Sequence, residues 1–168
     1  MNKILFLVAA LSAFAALAEE KTSVTNAPTS TTSVTNAVCR DKGLERLFDK
    51  AGLKFRFVED PGVYELTFPQ DNGRTQLVIV DAKTEKIDDY AVREISSACY
   101  HGALTKELAM YLLDLNYKVG AWRRVGNRVA FSGKAPWDVT SRDLETILRT
   151  VATTADELEA LWTDKDEF

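Results

Sequence analysis

The sequence predicts an α+β fold, an antiparallel β-sheet packed by helices, in the order αββββαββα. Three observations carry this prediction. Apolar residues recur at helical spacing in three separate segments. The alternating or apolar runs between them read as strands. Tight-turn signals join those runs, namely Asp60-Pro61-Gly62, Asp71-Asn72-Gly73 and Gly126-Asn127. Short connections of this kind pair antiparallel neighbours, and segregated strands and helices give the α+β class.

The first helix rests on Leu44, Leu47, Phe48 and Ala51, spaced i, i+3, i+4, i+7. Asp41 is its expected N-cap, and Gly52 with Leu53 its expected C-terminal stop. Residues 54–59 form a strand with Phe55 and Phe57 on one face. After the Pro61-Gly62 turn, residues 63–68 place Tyr64, Leu66 and Phe68 together. Residues 76–81 carry Leu-Val-Ile-Val and read as buried on both faces. A charged loop follows. Residues 90–99 form a fourth, more polar strand, expected at a sheet edge.

The second helix covers residues 105–116, with Leu108, Tyr111, Leu112 and Leu115 on one stripe. Residues 118–125 and 128–132 form a hairpin with Gly first in its two-residue turn. Thr140-Ser141-Arg142-Asp143 opens the last helix with a capping-box-like pattern. Its stripe is Leu144, Ile147, Leu148, Val151, Ala155, Leu158 and Trp162.

The ends of the chain are different in character. Met1-Asn2-Lys3 is a short positive region, residues 4–15 are apolar apart from Ser12, and Ala16-Leu17-Ala18 is a small-x-small cleavage site. Residues 1–18 therefore read as a secretory signal peptide. The apolar run is shorter than the roughly 20 residues that span a bilayer, so no stable membrane anchor is expected. Residues 19–37 hold a direct repeat, Thr22-Ser23-Val24-Thr25-Asn26-Ala27 and Thr32-Ser33-Val34-Thr35-Asn36-Ala37. A Thr/Ser/Asn-rich stretch has little to bury and reads as a flexible linker. Residues 38–168 are left as the folded unit, in a periplasmic or secreted location.

The chain has 168 residues, 46% of them apolar and 27% charged, with a net charge of −4. This is a soluble globular profile. A dedicated nucleic-acid binder would carry an excess of Lys and Arg, so nucleic acid is not expected as a partner.

A set of short motifs carries a family resemblance. Gly73-Arg74-Thr75-Gln76 leads into Val78 and Val80, and Ile95-Ser96-Ser97 follows. Leu112-Leu113-Asp114-Leu115-Asn116 precedes a hairpin containing Gly120, and Val151-Ala152-Thr153-Thr154-Ala155-Asp156-Glu157-Leu158 lies in the last helix. In this order and spacing they resemble the bacterial YbjN family of sensory-transduction-regulator-like proteins, which shares the fold of the type III secretion chaperones. The resemblance covers residues 44–168. It implies a compact, often dimeric α+β domain without catalytic residues. The related chaperones bind segments of partner proteins. The signal peptide departs from those chaperones, which work in the cytoplasm.

The search for chemistry finds little. His101 is the one histidine. It cannot supply a multi-His metal site, and no nucleophile elbow, phosphate loop or dinucleotide fingerprint accompanies it. No catalytic residue, metal or cofactor is expected. Cys39 and Cys99 are the only cysteines. In an oxidising compartment they read as a disulfide, worth roughly 2–5 kcal/mol on the chain-entropy account. Asp88-Asp89 and residues 164–167 are charge runs read as solvated. Lys165-Asp166-Glu167-Phe168 differs from an ER-retention tetrapeptide at its last residue and is read as coincidence.

Trp122-Arg123-Arg124, with Trp137 nearby, is the most suggestive exposed cluster, because Trp and Arg are enriched at binding hot spots. Arg74 and Gln76 join the candidates through the family-like turn. The protein-binding residues expected are thus Arg74, Gln76, Trp122, Arg124 and Trp137. Structural readings stand beside them: Trp122 packing on the last helix, and Arg74 with Gln76 in a hydrogen-bond network. The functional expectation is an exported, non-catalytic binding or regulatory protein with a protein partner. The charge-poor last-helix stripe also leaves room for a homodimer. Two alternatives remain, a small-ligand-carrying or structural envelope protein and a small hydrolase using His101.

Overall fold

The first helix forms because Asp41 closes it from outside. In the computed structural model, which describes residues 39–163 and 166–168, the Asp41 carboxylate accepts the amides of Gly43 and Leu44 at the start of α1 (Lys42–Lys50). At the other end Gly52, with φ +68°, lets Leu53 N–H reach Phe48 O and Gly52 N–H reach Asp49 O. This is the paired Schellman closure. The signal peptide and the linker expected from the sequence lie outside the described residues.

Seven antiparallel strands follow: β1 (Arg56–Val58), β2 (Val63–Pro69), β3 (Thr75–Asp81), β4 (Glu85–Ile87), β5 (Tyr90–His101), β6 (Ala121–Val125) and β7 (Arg128–Pro136). The sheet runs β1-β2-β3-β5-β7-β6, with β4 paired to the start of β5. The expected α+β class is found, with one more strand than the six expected. The extra strand is β4, in what reads as a charged loop. It forms because Asp88 adopts φ +54° and folds Ile87 back onto Tyr90.

A second correction concerns β5. Its polar residues suggest an edge, yet it lies at the centre, between β3 and β7. The polar groups are satisfied internally rather than by water. The Arg93 guanidinium, 5% exposed, donates to Asp81 O (2.7 Å), Ala82 O (2.6 Å) and Asp41 Oδ2 (2.6 Å). Ser97, fully buried, donates to Leu77 O at 2.6 Å.

One sheet face carries Tyr64, Leu66, Val78, Val80, Ile95 and Phe131, all buried against helices. The chief cover is α3 (Ser141–Trp162), through Leu144, Leu148, Val151, Ala155 and Leu158. Thr140 caps it by accepting from Asp143 N–H and donating to Asp143 Oδ2. The opposite face is half exposed and carries cross-strand ion pairs, among them Lys134 with Glu94 and Glu85. The remaining helix, α2 (Lys106–Asp114), is capped by Thr105 and anchored by Leu108.

Asp41 therefore serves two elements. Burial pushes its carboxyl up, but the Leu44 amide, Arg93 and the Gly43 amide outweigh burial and hold it below the usual range. Asp41→Ala should cost about 2 kcal/mol, from the lost cap and the buried Arg93 left short of an acceptor. A group with a lowered folded pKa stabilises above its unfolded value, and that stability is lost as pH falls through the folded value. The deficit should be full at pH 7 and shrink in acid, as read from urea midpoints.

Candidate functional site

The five candidate binding residues do not meet at one place. Trp122 and Arg124 lie on β6, Trp137 just past β7, and Arg74 and Gln76 at the start of β3. Only the first pair borders an apolar groove.

That groove, about 460 Å³, lies between α2 and the β6–β7 hairpin. Tyr117 and Trp122 form its floor and pack on the fully buried Phe131, a three-ring cluster with centroids 4.9–5.6 Å apart at steep angles. Such edge-to-face geometry suits the ring quadrupoles. Trp122 packs on Phe131 and Tyr117. Gly120 permits the close approach. Its φ is +82°, and a Cβ there would run into the backbone oxygen of Ser132. The groove wall on α2 is Leu112 and Leu113. Leu113 is 78% exposed and its neighbour Met110 is 50% exposed.

The groove is electrically one-sided. Arg123 and Arg124 line it, and no carboxylate does among the described residues. Arg123 is paired with Glu94, while Arg124 Nε donates to Gly126 O at 2.8 Å. Lys118 and Arg128 are exposed in the flanking segments. A chain of net charge −4 thereby presents a basic rim around its apolar groove. Beside it, β6 ends the sheet and pairs only with β7 among the described strands.

Trp137, 61% exposed, borders a second cavity lined by Asp41, Leu44, Arg93 and Val139. Its amide donates to Ala91 O at 3.0 Å. Gln76 is fully buried and bridges strands, donating to Ser97 Oγ (2.9 Å) and Ala98 O (2.6 Å). Its place is inside the fold rather than on a surface.

Arg74 meets three acids. Its Nε donates to Asp156 Oδ1 at 2.7 Å, and its Nη2 lies 3.2 Å from Glu159 and 3.9 Å from Asp166. Glu159 is completely buried. Burial raises its carboxyl above the usual range, against the lowering by the Glu167 amide and Arg74. The hydrogen bond to Asp156 raises Arg74 and keeps it charged.

The expected Cys39–Cys99 disulfide is not formed. Cys99 is fully buried at an irregularity in β5, and its thiol donates to Val129 O at 3.3 Å. Burial, then the nearby Glu159, pushes that thiol up to about 12. The two differ in burial: Cys39 is exposed ahead of α1, whereas Cys99 lies in the core on β5.

His101 is exposed at the end of β5, with its Nε2 2.6 Å from Asn127 Nδ2.

Leu113 is the groove residue that residue type alone did not single out. The signal was the unbroken apolar run Leu108-Ala109-Met110-Tyr111-Leu112-Leu113, which leaves apolar side chains on more than one helix face. Glu159 carried a signal too, since it follows Ala155 by one helical turn on the buried side of α3.

No family model matches the chain, and no curated protein matches it. The groove and its chemistry therefore carry the functional argument.

Proposed function

We propose that this protein is an exported, non-catalytic binding module of the bacterial cell envelope. A protein partner docks its apolar residues in the groove between α2 and β6. The observation that carries the reading is the groove itself: an aromatic floor, an exposed leucine at its wall, and a rim of arginines without a lining carboxylate. Exposed apolar surface beside a groove marks an interaction site. The basic rim favours a partner with acidic residues around its apolar anchors. The open edge of β6 offers strand pairing as a second contact.

The YbjN-like, secretion-chaperone-like reading is part of the proposal. It is supported by the antiparallel sheet with a long final helix, and by Gly120, whose conformation opens the groove's floor. Export is supported by the first 18 residues of the sequence. No helix of the described residues is long and apolar enough to cross a membrane.

A photo-crosslinking residue at 113 should capture a protein in intact cells, and one at 146 on the exposed side of α3 should not. Leu113→Asp should abolish that partner's binding while changing stability by less than about 0.5 kcal/mol, since the side chain is exposed. Equal capture at both positions would sink the proposal. The groove's volume also suits a small apolar ligand. Saturable binding of an apolar dye, lost in Leu113→Asp, with no protein captured, would favour that second reading.

A further inference from the structure

The β2–β3 ladder is complete from Val63↔Asp81 to Pro69↔Thr75. The β3–β5 ladder is not. It holds Ile79↔Ser96 and Val80↔Ile95 and then stops. Beyond that point side chains replace backbone pairing: Gln76 reaches Ser97 and Ala98, and Ser97 reaches Leu77 O. Because Leu77 O accepts from β5, the Leu77 N–H faces the same side. That side is met by Asp166 and Phe168. Leu77 N–H donates to Phe168 O, and Thr75 N–H to Asp166 Oδ2, both at 3.3 Å.

We propose that the opening between β3 and β5 is a slot for an extended peptide, filled in cis by Asp166–Phe168 acting as a removable strap. This inference is independent of the α2–β6 groove.

Two features make the strap removable. First, polar contacts hold it. Asp166 and Glu167 are exposed and Phe168 is half buried. Glu167 N–H donates to Oε1 of the buried Glu159 at 2.5 Å. The net gain from a few such hydrogen bonds is about the size of the entropy lost in ordering as many residues. Second, Asp166 adds a third carboxylate to a cluster with one guanidinium. Asp156, Glu159 and Asp166 lie within 4.8 Å of one another. Arg74 stays paired to Asp156 and Glu159 when Asp166 leaves, so release strands no cation. Release uncovers the Thr75 and Leu77 amides beside Arg74. That edge suits another extended segment carrying a carboxylate two residues ahead of its docking carbonyl.

The test uses the full chain, its Asp166→Ala variant and a fluorescent peptide with the sequence of residues 160–168. Amide exchange should be at least tenfold faster at Leu77 than at Val78, and faster again at Leu77 alone in the variant. The peptide should bind the variant saturably and the unmodified chain at least tenfold more weakly. A peptide with Ala at the position of Asp166 should lose that binding. Leu77 exchanging no faster than Val78 in both proteins would make the strap a fixed part of the sheet and overturn the proposal. Absence of saturable peptide binding to the variant, or equal binding to both proteins, would overturn it as well.

Discussion

Truncating Phe131 to Ala should destabilise the protein by about 3–5 kcal/mol, the range for removing a fully buried aromatic ring. Phe131 is completely buried in β7 and supports both rings that line the groove, with centroids 4.9 Å from Tyr117 and from Trp122. Two edge-to-face pairs are lost with it, each worth about 0.5–1.5 kcal/mol beyond burial. Denaturant unfolding measures the loss. The near-ultraviolet aromatic signal should weaken in the folded variant, because Trp122 and Tyr117 lose their shared partner. Groove binding should fall with it, whereas Leu113→Asp should remove binding alone. A loss under 1 kcal/mol would show that the groove floor collapses onto the gap and is not a preformed surface.

Replacing Arg74 with Ala should cost about 3 kcal/mol at pH 7, because it leaves the buried Glu159 carboxylate without its cation. The pH dependence separates this cause from lost packing. Glu159 has a folded pKa raised above its unfolded value. Its favourable contribution is full below the ordinary carboxylate range and is lost as pH rises through the folded value. Without Arg74 that folded value rises further. The Arg74→Ala deficit should therefore be small at pH 4 and full at pH 7. Arg74→Lys should recover part of it, since an ammonium restores charge but not the guanidinium's reach to both Asp156 and Glu159. A deficit equal at pH 4 and pH 7 would refute the electrostatic account.

Much of the fold was legible because its signals are local. Asp41, Gly52, Thr140 and Gly126 each act within a few residues of their own position, and each closes the helix or turn expected of it. Alternation in residues 63–68 likewise reports burial of one strand face, whereas residues 76–81, expected to be buried on both faces, are fully buried on one only. The binding site was only partly legible. Trp122 and Arg124 were singled out by residue type, and the structure gives them a shared groove. Leu113 was read as part of a motif, and its exposure depends on how α2 sits against the sheet.

By itself, then, the sequence determined the α+β class, the existence and order of the three helices, and the turn of the final hairpin. Those follow from backbone preferences and apolar spacing, which act over short stretches of chain. Only the tertiary structure decided that the polar β5 lies at the sheet's centre, since satisfying Arg93 and Ser97 requires acceptors from Asp41, Leu77, Asp81 and Ala82. It alone buried Cys99 in the core while leaving Cys39 exposed, and it alone brought Arg74 to Asp156, Glu159 and Asp166. The physical reason is the order of strands in the sheet, which sets distances between residues far apart in the chain and leaves no periodic trace in the sequence.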